Sequence, residues 1–394
     1  MNNRIIKLAN NTISVKEIEL FSKWLMEGHQ LTKGPLTKEF ESEFASYIGT
    51  KYSVMVNSGS SANLLMAYSL LEAGYLKNKK VIVPAVSWIT TLSPFIQLGF
   101  ECLLCDSDPE DLGIDLSHLE DLLKKEEPGL LILVHILGHP NKMESIHKLC
   151  NHYGCRVIED ACEALGSEYN NIKTGALSLA GSFSFYYGHH ISTVEGGAVT
   201  TSDDKLYSIM LSIRSQGWSR DVPETDRMQW RDHYHIDEFR EFYTFYFPGY
   251  NLRSSDMNAY LGKMQLSSIH EIVKIRKRNF ELYRNALPEY WSQNSEKSLV
   301  SSFAYGTFVS NRLELFRHLK LNGIESRPLV CGSMGRQPFW IKRYGETRLP
   351  IADRVHDYGI YLPNHAQLTS EDILYVSEIF KEIAEPLIQN SVKT

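Results

Sequence analysis

The chain is poor in cysteine and holds no long apolar run. Its 394 residues carry six cysteines, Cys102, Cys105, Cys150, Cys155, Cys162 and Cys331, too sparse for a disulfide scaffold. Cys102 and Cys105 have metal-like spacing, but ECLLCD reads as a strand and no second pair follows, so burial and no metal is the expectation. No stretch approaches the roughly 18 apolar residues that a membrane-spanning helix needs. The N-terminal stretch MNNRIIKLANNTISVKEIEL lacks the apolar core and cleavage site of a secretory leader, so a cytoplasmic location is expected. Neither sign of charge dominates: 41 Lys+Arg face 47 Asp+Glu, well mixed, which leaves no footprint for nucleic acid or an anionic membrane. Repeats and low-complexity tracts are also absent.

What is present is a rhythm. Apolar runs at 53–57, 80–83, 101–105, 130–136, 155–159, 182–186 and 198–201 read as strands, and helical patterns such as 62–72, 116–125, 142–152 and 203–214 lie between most of them. That alternation predicts an α/β fold with a mostly parallel, seven-stranded sheet covered on both faces. Residues 219–250 break the rhythm, mixing charge with many aromatics, and a stretch of that length is usually functional or an interface. From Ser254 to about Leu287 one long helical pattern follows, then a smaller α+β region containing Arg327-Pro328. The expected organisation is a large domain over 1–250, then a connecting helix and small C-terminal domain over 251–394.

The segment GSFSFYYGHHISTVEGG (181–197) reads as a strand end, a turn freed by Gly188, and the start of the next strand. It puts His189 and His190 just past a carboxyl edge, where α/β sheets place their chemistry. Two adjacent histidines there are a metal pair, a base with a neighbour, or plain loop residues. Asn57-Ser58-Gly59-Ser60-Ser61-Ala62 joins a strand to a helix and can cradle a phosphate on backbone N–H groups, or be an ordinary N-cap. Ser184 could add a hydroxyl to the same phosphate. Asp160, closing the run Arg156-Val157-Ile158-Glu159, could bind a metal, cap a helix or pair with a cation such as a pyridinium nitrogen. Trp88 follows another strand and either stacks on an aromatic ring or fills the core. Together these features fit one ligand, a pyridoxal-type cofactor.

The motifs VNSGSSANLL (56–65), VIVPAVSWITT (81–91), VIEDACEALGSEY (157–169), SFSFYYGHHISTVEGGAVTT (182–201) and PGYNLRSSDMNAYLGKMQL (248–266), in this order, resemble the sugar aminotransferase family of the aspartate-aminotransferase fold. Matches at 31–49, 134–143 and 213–221 extend the resemblance over nearly the whole chain. The resemblance implies pyridoxal 5′-phosphate or pyridoxamine 5′-phosphate as cofactor. It places the cofactor-binding lysine six residues before the Glu of EGG, and counting back from Glu195 lands on His189. Imidazole cannot make the covalent link that lysine makes.

A histidine at that position resembles the pyridoxamine-phosphate-dependent sugar 3-dehydratases. The implied reaction is C3 deoxygenation of a nucleotide 4-keto-6-deoxy sugar, GDP-linked by resemblance, in colitose-type deoxysugar synthesis for O-antigen lipopolysaccharide. His189 is then base and acid, and L-glutamate recharges the cofactor. Gly59, Ser60, Trp88, Asp160, Glu163, Ser184 and Asn251 are implied cofactor contacts, with Glu163 at the ring hydroxyl and Asn251 reaching across a homodimer with shared active sites. Arg220, Arg253 and His190 are implied substrate contacts. Four suitably spaced thiolates are missing, so no iron–sulfur cluster is expected. An aminotransferase using another lysine is the alternative, opposed by the absence of Lys between Tyr186 and Glu195; a pseudoenzyme that only binds nucleotide sugar is the other.

Overall fold

A computed structural model of the chain describes residues 4–295 and 298–387. The outermost limits of the two expected domains, 1–3 and 388–394, lie outside the described residues. The seven apolar runs form β1 (Tyr52–Val56), β2 (Lys80–Pro84), β3 (Glu101–Cys105), β4 (Leu130–Val134), β5 (Arg156–Asp160), β6 (Ala180–Ser184) and β7 (Gly197–Thr201). They make one sheet in the order β1-β7-β6-β5-β4-β2-β3. All neighbours from β6 to β3 run parallel, and β7 alone is antiparallel to both of its neighbours. Cys102 and Cys105 lie buried in β3.

The sheet is covered on both faces, which is why β4 (LLILV), in its interior, reads as a continuous apolar run with no polar alternate. Side chains still alternate by period two. Val81 and Val83 of β2 join Leu65, Met66, Leu92 and Phe95 in one core, while Ile82 points to the opposite face with Leu119, Leu123 and Ile146. The first of these cores holds helices α1 (Gly59–Glu72) and α2 (Ile89–Gln97). Ser58 caps α1 by accepting a hydrogen bond from the Ser61 N–H at 3.1 Å.

The expected long helix from Ser254 is two helices, α3 (Asp256–Ser267) and α4 (Ile269–Ala286), with Ser268 between them. The Ser267 hydroxyl donates back to the Met264 carbonyl at 2.6 Å, and such back-bonding competes with the helix ladder. The aperiodic stretch contains a short helix, Glu224–His233, and leaves Phe239, Phe242, Tyr243 and Phe245 exposed. The smaller C-terminal part is an antiparallel sheet of β8 (Tyr305–Phe308), β9 (Arg327–Pro328) and β10 (Gly359–Leu362), with β10 in the middle. It packs Phe280 and Tyr283 of α4 against Leu315, Ile360 and Phe380.

Candidate active site

Carboxyl ends of β1, β5 and β6 and the segment after β2 meet the small domain around a cavity of about 410 Å³, a volume usual for a small-molecule site. Gly59, Ser60, Trp88, Asp160, Glu163, Ser184 and His189 all line it. Seven residues separated by up to 130 positions in the chain therefore converge, as expected for one ligand.

At the N-terminus of α1, Ser58 serves as the cap while Gly59 and Ser60 precede the first intrahelical bonds. The alternatives of cap and cradle are thus divided between neighbouring residues. Helix start and strand end nearly touch: a Cβ on Gly59 would fall 2.6 Å from Ser184 Cβ and 3.0 Å from its Oγ. Gly197, at the start of β7, is equally tight, since its Cβ would meet the Gly59 nitrogen at 2.7 Å. Glycine at these places lets backbone N–H groups, the helix dipole and the Ser184 hydroxyl crowd one point, which suits a phosphate dianion.

Asp160 ends β5 and is 4% exposed. Its Oδ2 accepts from Asn63 Nδ2 at 2.8 Å and from Thr91 Oγ1 at 2.7 Å, while Oδ1 accepts from the Cys162 N–H at 3.2 Å. Three neutral donors orient this carboxylate without neutralising it, leaving its charge for a cationic ligand atom. Trp88, 56% exposed, stands at the cavity wall, not in the core. Glu163 accepts from the Leu137 N–H at 2.8 Å, and burial, with Asp160 adding repulsion, pushes its carboxyl up to about 7.

The loop after β6 turns at Tyr187-Gly188, closed by the His189 N–H donating to the Tyr186 carbonyl at 2.9 Å, and its positive φ falls on Val194, at 71°. His189 lines the cavity with Nδ1 unpartnered. Burial lowers its imidazole to about 4, against the opposing pull of the Cys162 carbonyl and Asp160. His190 is placed differently: it is buried outside the cavity, its Nε2 bonded to the Ser301 carbonyl at 3.0 Å. A substrate contact from His190 therefore does not fit this geometry, because the neighbouring side chain on a turn points the other way.

Asn251, Arg253 and Arg220 are not brought to the cavity. They line two adjoining open clefts that share Thr32, Lys33 and Arg253, and Glu195 connects the first of these to the cavity. Arg253 donates to Gln216 Oε1 at 2.6 Å, and Arg220 lies over the Trp218 ring at 4.6 Å.

Several residues of the site were not singled out from sequence. Asn63, behind the cavity wall, and Thr91, in it, orient Asp160, and Phe303, Arg327 and Tyr361 arrive from the small domain. Asn63 carried a signal, as a polar residue opening the apolar run Leu64-Leu65-Met66-Ala67; the small-domain residues carried none. Arg327 is the only Lys or Arg among the described lining residues.

The residues fit a pyridoxal-type cofactor on three observations: the glycine-dependent cradle, the oriented carboxylate of Asp160, and an exposed Trp88 on the same cavity. Among the described residues no group of three or more His, Cys, Asp or Glu is placed to hold a metal ion, and no helix is long and apolar enough to cross a membrane.

Comparison with known proteins agrees with this geometry. Residues 12–381 match the DegT/DnrJ/EryC1/StrS aminotransferase family. A GDP-4-keto-6-deoxy-D-mannose 3-dehydratase from Yersinia pseudotuberculosis is 34% identical over 388 residues, covering 95% of this chain and 98% of that one. The solved Escherichia coli GDP-4-keto-6-deoxy-D-mannose 3-dehydratase with bound hydrated PLP superposes with a TM-score of 0.86 at 30% identity, covering 96% of this chain and all of that one. Another structure of a GDP-4-keto-6-deoxymannose 3-dehydratase, with a PLP-glutamate geminal diamine trapped in it, gives 0.85 at 30% identity over 95% of this chain and all of that one.

Proposed function

The chain belongs to the DegT/DnrJ/EryC1/StrS aminotransferase family, and on that footing we propose that it removes the C3 hydroxyl of a nucleotide-linked 4-keto-6-deoxy sugar, GDP-4-keto-6-deoxy-D-mannose by similarity to its relatives. The carrying observation is His189, an imidazole facing the cavity where the family carries its lysine. When bound, pyridoxamine phosphate supplies an amine for the C4 ketone and a ring that draws electrons from it.

The chain's own residues do the rest. Gly59, Ser60 and Ser184 hold the phosphate, Asp160 keeps the ring nitrogen protonated, Trp88 stacks on the ring and Glu163 meets the ring hydroxyl. His189 is neutral near pH 7, so it can take a proton beside the ring, and the imidazolium so formed returns it to the departing C3 hydroxyl. A lysine there would bond to the coenzyme and favour amination. Among the described lining residues there is none, and Lys173 and Lys205 are engaged elsewhere, with Glu168 and the Ala73 carbonyl.

The balance is a two-electron reduction of the sugar at the expense of glutamate. The C3 oxygen departs as water, and hydrolysis takes water up again, so that none is gained or lost overall. Sugar plus L-glutamate become the 3-deoxy-4-keto sugar, one oxygen lighter, the 2-oxo acid and ammonia. Arg327 supplies the positive charge that the glutamate carboxylate needs on entering the cavity. A homodimer completes the site: the exposed aromatic stretch covers a partner, and Asn251, Arg220 and Arg253 serve the partner's cofactor and nucleotide. The reaction belongs to deoxysugar synthesis, with the protein in the cytoplasm where nucleotide sugars are made.

Mass spectrometry of products from a panel of nucleotide 4-keto-6-deoxy sugars, with pyridoxal phosphate and glutamate present, tests this. A product one oxygen lighter than the substrate is expected, with the GDP-linked sugar turned over best. A 4-amino sugar would establish an aminotransferase in its place.

A further inference from the structure

A cation with no acidic partner among the described residues lies behind the reacting imidazole. Arg276 of α4 is 2% exposed. Its Nη1 donates to three backbone carbonyls, those of Ser302 at 3.3 Å, Phe303 at 3.0 Å and Asn364 at 2.6 Å. Its Nε has no partner, and no carboxylate offsets its burial, which pulls the guanidinium down to about 9. A buried charge paired with carbonyls alone is costly, so a role beyond tying backbone together is worth seeking.

Arg276 meets the ring of Phe303, with 5.8 Å from guanidinium carbon to ring centroid. That ring also packs against His189, at 5.3 Å between centroids and 41° between planes, and against His190 at 6.2 Å and 40°. The strap that carries Phe303 is fixed on both sides. The Phe303 N–H donates to the Leu137 carbonyl of the large domain at 2.8 Å, and the Ser301 carbonyl accepts from His190. A small-domain aromatic plate is thereby clamped between one guanidinium and two imidazoles.

We propose that Arg276 is a positioning residue for the dehydration, which acts through Phe303 to hold the His189 ring toward the cavity and, by its uncompensated charge, to keep that ring unprotonated at rest and a quick donor of the proton it takes up. This rests on His189 being the proton carrier. The groups facing that imidazole divide cleanly. Burial, which dominates, and Arg276 oppose its charged form, while the Cys162 carbonyl and Asp160 favour it. His190 and His365 face the same guanidinium and are lowered by burial first and Arg276 second. Three imidazoles around one cation are thus all neutral near pH 7. An imidazole that binds its proton weakly passes it on to a leaving hydroxyl, whereas a strongly basic one would keep it.

The test is a titration of the protein loaded with pyridoxamine phosphate, with its histidine rings carbon-13 labelled, alongside the pH profile of deoxygenation. In Arg276→Met the His189 midpoint rises and the acid limb of kcat moves to higher pH. At neutral pH kcat falls by about tenfold or more, with KM for the nucleotide sugar changed less than about threefold. Arg276→Lys, which keeps the charge, restores the acid limb. Phe303→Leu, usable even if Arg276→Met does not fold, lowers kcat and leaves the acid limb in place. An unshifted His189 midpoint in folded Arg276→Met, or wild-type kcat in Phe303→Leu, overturns the proposal. The midpoint is read without turnover, so it decides the role of Arg276 even if the wild type fails to deoxygenate the sugar.

Discussion

Asn63 donates its side-chain amide to Asp160 at 2.8 Å from the same helix whose first residues form the phosphate cradle. One rigid element would therefore set both proposed contacts of the cofactor, its phosphate and the partner of its ring nitrogen. Asn63 itself is held, because its carbonyl oxygen accepts from Ser182 Oγ at 2.6 Å. Replacing Asn63 by Leu should leave Asp160 with Thr91 and the Cys162 N–H, and weaken pyridoxal phosphate binding by roughly tenfold, the worth of about one hydrogen bond to a charged group. Asp160→Asn should bind the coenzyme but lose deoxygenation. Fluorescence titration with pyridoxal phosphate checks both; unchanged affinity in Asn63→Leu would show that Asp160 needs no help from α1.

The contact of Gly59 with Ser184 predicts a paired effect. Gly59→Ala forces a methyl into Ser184 and should cost about 1–3 kcal/mol of stability, with weaker coenzyme binding. Ser184→Gly removes the obstacle, so the double variant should recover most of the stability but not the affinity, the Ser184 hydroxyl being lost. Denaturant unfolding of the three variants reads this non-additivity.

Arg327 should separate the two halves of the catalytic cycle. Arg327→Met is expected to raise KM for glutamate by roughly tenfold or more while the protein, already charged with pyridoxamine phosphate, still deoxygenates sugar in a single turnover. Loss of the single turnover with glutamate use intact would assign Arg327 to the nucleotide sugar.

Glu163 should make the apoprotein's stability depend on pH. Its folded value of about 7 exceeds the ordinary 4.5, so between these values the folded state keeps a proton that the unfolded chain has released. Stability then falls as pH rises through that window. Glu163→Gln should be more stable than the wild type above pH 7, by about 1–2 kcal/mol, and no more stable below pH 4.5. Urea midpoints at pH 4.5 and 8 measure the difference.

The large domain was legible because a sheet buried on both faces writes itself as evenly spaced apolar runs, and because β5, β6 and the residues after β1 end in polar residues that have no place in a core. Asp160, Ser184 and Ser60 belong to that class. What sequence could not supply was direction. His189 and His190 are adjacent and chemically identical, and only the fold turns one to the cavity and the other to Ser301. Phe303, Arg327 and Tyr361 are ordinary small-domain residues in one dimension, and their packing onto the large domain is what makes them part of the site. The break at Ser268 was hidden for a related reason, since helical periodicity continues on both sides of it.

The account stands on His189 moving a proton without ever bonding to the coenzyme. Its most direct test is the deoxygenation rate of His189→Asn, loaded with pyridoxamine phosphate, on GDP-4-keto-6-deoxy-D-mannose. With coenzyme binding retained, the rate should fall by about three orders of magnitude or more; a rate within about tenfold of the wild type would contradict the assignment.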